Sequence, residues 1–132
     1  MISLDTNVLV RFLVQDDKQQ GRAAADLIEG LSEQEPGYIC REVMAELVWV
    51  LERAYKMPRT QIAPAVEGLL SSRELIVEEA DRVGLALARY TSGGAGFSDR
   101  MILLASTSAG SACLATFDKV LARERGVQIL QS

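Results

Sequence analysis

Hydrophobic positions along the chain alternate between short continuous runs and stretches spaced three and four apart, the pattern of strands interleaved with amphipathic helices. Residues 1–4 make a short apolar start that stops at Asp5-Thr6-Asn7, after which Val8, Leu9, Phe12 and Leu13 recur at helical spacing. This reads as strand, then helix. Asp16 and Asp17 can cap a second helix that carries Ala24, Leu27, Ile28 and Leu31 on one face, and residues 32–37 form the loop after it. Residues 38–40 serve either as a short strand or as the approach to a helix at 41–55, whose apolar positions cover most of its circumference and predict deep burial.

Pro58 ends that helix, residues 59–70 resume helical spacing despite Pro64, and Leu75, Ile76 and Val77 form a run suited to a buried strand. Residues 79–90 are helical again. The Gly-rich segment 92–96 is a loop, and Ser98 is expected to cap a helix reaching about residue 108 with Asp99 in its first turn. Residues 112–117 read as a strand, 118–124 as a short helix, and 127–130 as a last strand after Gly126. Strands alternating with helices predict an α/β fold with a parallel sheet.

At 132 residues the chain fits one domain, expected to span 1–132, and its 48% hydrophobic and 24% charged content predicts a real core. A net charge of -4 and a pI near 4.9 argue against a general nucleic-acid coat, which would carry a broad basic face. They do not exclude a nuclease, because carboxylates gathered around cations lower the pI of the bare chain. The start carries no basic leader, and the apolar run 8–14 is broken by Arg11 and too short for a bilayer, so no membrane contact and a cytoplasmic location are expected. Cys40 and Cys113 show no paired short spacing, and there is no histidine. Imidazole chemistry is therefore excluded, and any acid–base or metal chemistry rests on carboxylates.

In open α/β sheets the functional crevice lies beyond the carboxyl ends of the strands. Asp5 follows the first strand, Asp118 follows the strand ending at Phe117, and Asp99 begins the helix leading into that strand. Glu46 is surrounded in sequence by Ala45, Leu47, Val48, Trp49, Val50 and Leu51, where an unpaired buried charge would be costly. A hard divalent cation bound by oxygen ligands would account for all four acids. On a phosphodiester one or two such ions activate water and stabilise the leaving oxygen, the two-ion version needing them about 3.5 to 4 Å apart. Each acid also has a plainer reading. Asp5 suits an N-cap, Asp99 and Asp118 suit first helical turns, and Glu46 suits a salt bridge to Arg41 or Arg53. Glu42, four residues before Glu46, competes for its role, while Asp16, Asp17, Asp26 and Asp81 read as solvated or capping acids.

Taken together, MISLDTNVLVRFL, VMAELVWVL, FSDRMILLAS and CLATFDKVL resemble, in order and over almost the whole chain, the four acidic segments of the PIN-domain family. The length and opening are most similar to VapC-type toxins of bacterial toxin–antitoxin pairs. The resemblance implies a three-layer domain with a central parallel sheet flanked by helices, and a magnesium- or manganese-dependent endoribonuclease using one or two ions. It also implies a cognate antitoxin that blocks the site. Carried across, it makes Asp5, Glu46, Asp99 and Asp118 the catalytic and metal-binding acids, with Asn7 and Thr116 in support.

Arg11, Arg41 and Arg100 lie near these acids in sequence and are the expected contacts to RNA phosphates. The apolar helices 17–31 and 41–70 offer faces for the antitoxin or for a second copy in a homodimer. The alternative is a noncatalytic module that grips a partner's arginine in the acidic cleft. A phosphatase-like hydrolase with Asp5 as nucleophile is weaker, because Asn7 stands where that chemistry wants a second acid.

Overall fold

The computed structural model describes residues 1–131 and falls into two compact units, residues 1–81 and the segment from Arg82 onward. In the first unit, β1 (Ile2–Ser3), β2 (Gly37–Ile39) and β3 (Leu75–Val77) lie in the order β1-β2-β3, all parallel. Ile2 stands opposite Gly37, and Gly37, Tyr38 and Ile39 stand opposite Leu75, Ile76 and Val77. The ladder runs one residue past the strands, with Leu4 N–H donating to Tyr38 at 2.8 Å and Glu78 N–H to Ile39 at 2.9 Å.

Helices supply both crossovers, as parallel neighbours require. α1 (Thr6–Val14) and α2 (Lys18–Glu29) join β1 to β2, while α3 (Arg41–Arg53) and α4 (Arg59–Ser71) join β2 to β3. α1 packs on both α2 and α3. The corner between α1 and α2 is made by Gln15 in the left-handed region, after which the Asp17 carboxylate accepts the Gln20 N–H at 2.9 Å and starts α2. Leu9, Ile39, Met44, Leu47, Leu51, Ile62 and Val66 are fully buried and form the core of this unit.

α5 (Ala80–Thr91) leads into the second unit, which continues with α6 (Phe97–Ser108), β4 (Leu114–Thr116), a 3-10 turn at Leu121–Arg123 and β5 (Val127–Ile129). β4 and β5 pair in parallel, Leu114 opposite Val127 and Thr116 opposite Ile129. Val83, Ala86, Leu87 and Tyr90 fall at helical spacing on the buried stripe of α5. The Tyr90 ring meets Phe97 edge-on, centroids 6.1 Å apart at 82°.

The α/β class, the parallel pairing and the order of elements agree with the sequence reading. Four local expectations are corrected. The helix predicted at 41–55 stops at Arg53 and buries one stripe, Met44, Leu47, Val48 and Leu51, rather than most of its surface. Trp49 is 54% exposed, its ring covered by the Arg53 guanidinium 5.8 Å from the centroid. α6 is capped by Gly96, not Ser98, so Ser98 lies within the first turn beside Asp99. The last predicted short helix contracts to a single 3-10 turn.

Gly37 belongs to β2 rather than to a loop. A Cβ there would meet Leu31 at 2.8 Å, Leu75 at 3.0 Å and Leu4 at 3.1 Å, so the bare backbone is what lets these side chains close over the strand. Gly37→Ala should destabilise the fold by about 1–3 kcal/mol through overpacking, read as a lower urea midpoint with an unchanged m-value.

Candidate active site

The three strands of the first unit run in one direction, so the residues that follow them emerge at one edge. Asp5 follows β1, Cys40 and Arg41 follow β2, and Glu78 follows β3. Asp5 is the N-cap of α1, and its Oδ1 accepts the Thr6 N–H at 2.8 Å. α3 begins without a side-chain cap from Cys40. Instead the Arg41 N–H donates to Glu78 Oε1 at 2.9 Å, and the Arg41 guanidinium lies 3.9 Å from the same carboxylate.

Glu46, on the second turn of α3, is exposed, which corrects the expectation that burial makes its charge costly. The reason lies in the helical phase, since the buried positions 44, 47, 48 and 51 leave residue 46 off the core stripe. Neither expected salt bridge forms, and Glu46 has no hydrogen-bond or ion-pair partner among the described residues. It faces a cleft of about 320 Å³ that it lines with Asp5, Thr6, Asn7, Val10, Arg11, Val50, Ala54 and Tyr55. The sequence-predicted residues Asp5, Asn7, Arg11 and Glu46 are thus brought to one surface. Within it, Thr6 Oγ1 is buried with no hydrogen-bond partner among the described residues. An unsatisfied buried hydroxyl costs about 1–3 kcal/mol, so Thr6 brings an unused hydrogen-bonding group to the lining of this cleft.

In the second unit Asp99 is half-buried in the first turn of α6. Burial, and after it the charge of Asp118, holds the Asp99 carboxyl above the ordinary carboxylate range, while a hydrogen bond from the Gly96 backbone pulls the other way. Asp118 turns the chain after β4, its Oδ1 accepting the Val120 N–H at 2.8 Å and the Leu121 N–H at 3.2 Å. Thr116 Oγ1 accepts the Asp118 N–H at 3.0 Å, so its support acts through the backbone. A carboxylate whose proton affinity is raised by burial and by the charge of a neighbouring carboxylate suits a cation, as does an all-oxygen donor set. Among the described residues, neither unit by itself gathers three acids or cysteines close enough to hold a metal ion.

Arg100 is buried, its side chain 6% exposed. Its Nε donates to the Ala95 carbonyl at 3.0 Å, and its Nη2 donates to the Gly93 carbonyl at 2.7 Å and pairs with Glu124 at 3.0 Å. This guanidinium fastens the Gly-rich loop and is not presented to a phosphate, which corrects its expected place at the rim. Sequence reasoning missed Thr6 and Tyr55. Tyr55 lies just past α3, and its only sequence signal is the single hydroxyl it adds beside an apolar helix end.

The PIN domain model matches residues 2–126. The chain belongs to the PIN-domain family. No curated protein matches it. Among five matching solved chains is Mycobacterium tuberculosis VapC20, described as a sarcin-ricin loop cleaving toxin, at 21% identity and a TM-score of 0.47 over 93% of this chain and 94% of that one.

Two measurements check the second unit. Arg100→Ala should cost about 2 kcal/mol by leaving two carbonyls and Glu124 without their donor, seen in urea unfolding. For Asp99 the folded chain keeps its proton to higher pH than the unfolded chain, so this group makes stability fall as pH rises out of the ordinary carboxylate range and through its raised value. Asp99→Asn should therefore melt higher than the wild type at pH 7, with the gap closing at pH 4.

Proposed function

We propose that this chain, working as one nuclease domain, is a divalent-metal-dependent endoribonuclease and the toxin of a type II toxin–antitoxin pair. The observation that carries the reading is the cleft lined by Asp5, Glu46 and Thr6, whose buried hydroxyl has no partner among the described residues, in a PIN-family chain. Asp5, Glu46, Asp99 and Asp118 supply the carboxylates, for magnesium or manganese, one or two ions. When bound, such an ion activates water and neutralises charge developing on phosphorus.

The chain's own residues divide the remaining work. Asp5, which lines the cleft, is oriented by the bond its Oδ1 accepts from Thr6 N–H, and its second oxygen has no hydrogen bond among the described residues. Glu46, with no ion pair among the described residues, can follow a ligand into the cleft. Asp99, held above the ordinary carboxylate range by burial and then by the Asp118 charge, keeps a proton more tightly than a free carboxylate does. Asn7 lines the same cleft as Asp5, and Thr116 fixes the backbone of Asp118. Arg11 and Arg41 contact RNA phosphates. The partners are the RNA substrate, a cognate antitoxin and a second copy of the chain, docking on α2, α3 and α4. Among the described residues no helix is long and apolar enough to cross a membrane, and action on RNA in the cytoplasm fits that.

Cleavage of structured RNA in magnesium should stop with chelator and fall at least about a hundredfold with Asp5→Asn. Asp5→Asn combined with Asp99→Asn should lose little more than the worse single variant if both pairs serve one step. Calorimetric titration of manganese separates the alternative: a noncatalytic docking module gives no heat that Asp99→Asn or Asp5→Asn removes, and cleaves nothing.

A further inference from the structure

Arg11 and Tyr55 line the same cleft as Asp5 and Glu46, and they belong to a closed hydrogen-bonded ring. Arg11 Nη1 donates to Asp16 Oδ1 at 3.0 Å and to the Tyr55 hydroxyl at 3.2 Å, and that hydroxyl donates to Asp16 Oδ2 at 2.9 Å. Arg11 Nε donates to Gln20 Oε1 at 2.6 Å. Three of the five guanidinium N–H donors are thereby held, which fixes the plane of the group. The two on Nη2 have no partner among the described residues. The side chain remains 30% exposed.

A guanidinium beside two carboxylates would ordinarily collapse onto them. Arg11 pairs with neither Asp5 nor Glu46 among the described residues, because Asp16, Tyr55 and Gln20 hold it back. Asp16 and Tyr55 perturb one another as such a ring requires: the Tyr55 hydroxyl holds the Asp16 carboxyl below its ordinary range, and the Asp16 carboxylate holds the Tyr55 phenol above its own. Arg100 makes the contrast, since both Nε and Nη2 there are taken up by the fold. A cation tied to Asp16, held off Asp5 and Glu46 and left with one edge unspent, is arranged for an anion arriving from outside. In a cleft already lined by acids, an anion reaching both features is a phosphodiester of a polynucleotide backbone.

We propose that Arg11 seats an RNA backbone phosphate through Nη2 at the Asp5–Glu46 cleft, and that Tyr55 and Asp16 are positioning residues that keep its fork open to the strand. The inference rests on the ribonuclease reading. It places substrate binding on the same side of the cleft as the α1–α2 corner, and it gives Tyr55 its part through Arg11.

The test is cleavage kinetics of a fluorogenic RNA oligonucleotide by the full chain in magnesium, with kcat and KM measured across a series of salt concentrations. Arg11→Gln should raise KM about tenfold with little change in kcat, and should reduce the log–log salt slope of KM by about 0.7, the loss of one phosphate contact on a single strand. Arg11→Lys should restore the slope, because a point charge is enough for it. Tyr55→Phe should raise KM severalfold in the wild-type background and add nothing in the Arg11→Gln background, a coupling that a purely structural tyrosine would not give. A wild-type chain that cleaves, together with an unchanged slope in Arg11→Gln or additive effects of Tyr55→Phe, overturns this inference alone. A wild-type chain that cleaves no RNA overturns the ribonuclease reading and this inference with it.

Discussion

The first unit depends on β2 being paired on both sides. Gly37 and Tyr38 pair with β1 on one side, Gly37, Tyr38 and Ile39 pair with β3 on the other, and the Gly37 N–H donates to the Glu74 carbonyl at 2.8 Å. With both neighbours parallel, all three strands end at one edge, and whatever residue follows each strand is delivered there. Asp5, the start of α3 and Glu78 share that edge for this reason alone. The absence of a side chain at residue 37 is the local condition, because Leu4, Leu31 and Leu75 crowd the space a Cβ would take.

What a site needs and what a fold needs are met by the same atoms at two of the four acids. Asp5 both caps α1 and lines the cleft, and Asp118 both turns the chain after β4 and raises the proton affinity of Asp99. The plain reading of Asp5 as an N-cap is therefore correct and does not compete with the chemical one, whereas Asp118, expected in a first helical turn, makes the turn before the 3-10 segment instead. Such a residue is aimed by its own structural bond, which fixes one carboxylate oxygen and with it the direction of the other.

Much of this was legible in the sequence, and the reasons differ by element. The order of strands and helices follows from hydrophobic period, and Asp5 followed from an apolar run that stops at a capping sequence. The strand at Leu75–Val77 was found to the residue because β-branched side chains have few other homes. Phase within a helix was harder. Glu46 sits among apolar neighbours in sequence, yet only one stripe of α3 is buried, so adjacency misled where angular position decided. Glycines were misread for the same kind of reason: Gly37 passes for a loop residue, and its close contacts come from Leu4 and Leu75, more than thirty positions away. Arg100 and Tyr55 were beyond reach, since their partners are loop carbonyls in one case and Arg11 and Asp16, about forty positions distant, in the other.

The double employment of Asp5 and Asp118 bears on how such a chain would decay. A descendant freed from its chemistry would still need both residues to start α1 and to make the turn before the 3-10 segment, so their survival says little about activity. Glu46, exposed and tied to nothing among the described residues, would be the first to drift. Under the proposed function, the state of that one glutamate is the sensitive record of whether the chemistry is still in use.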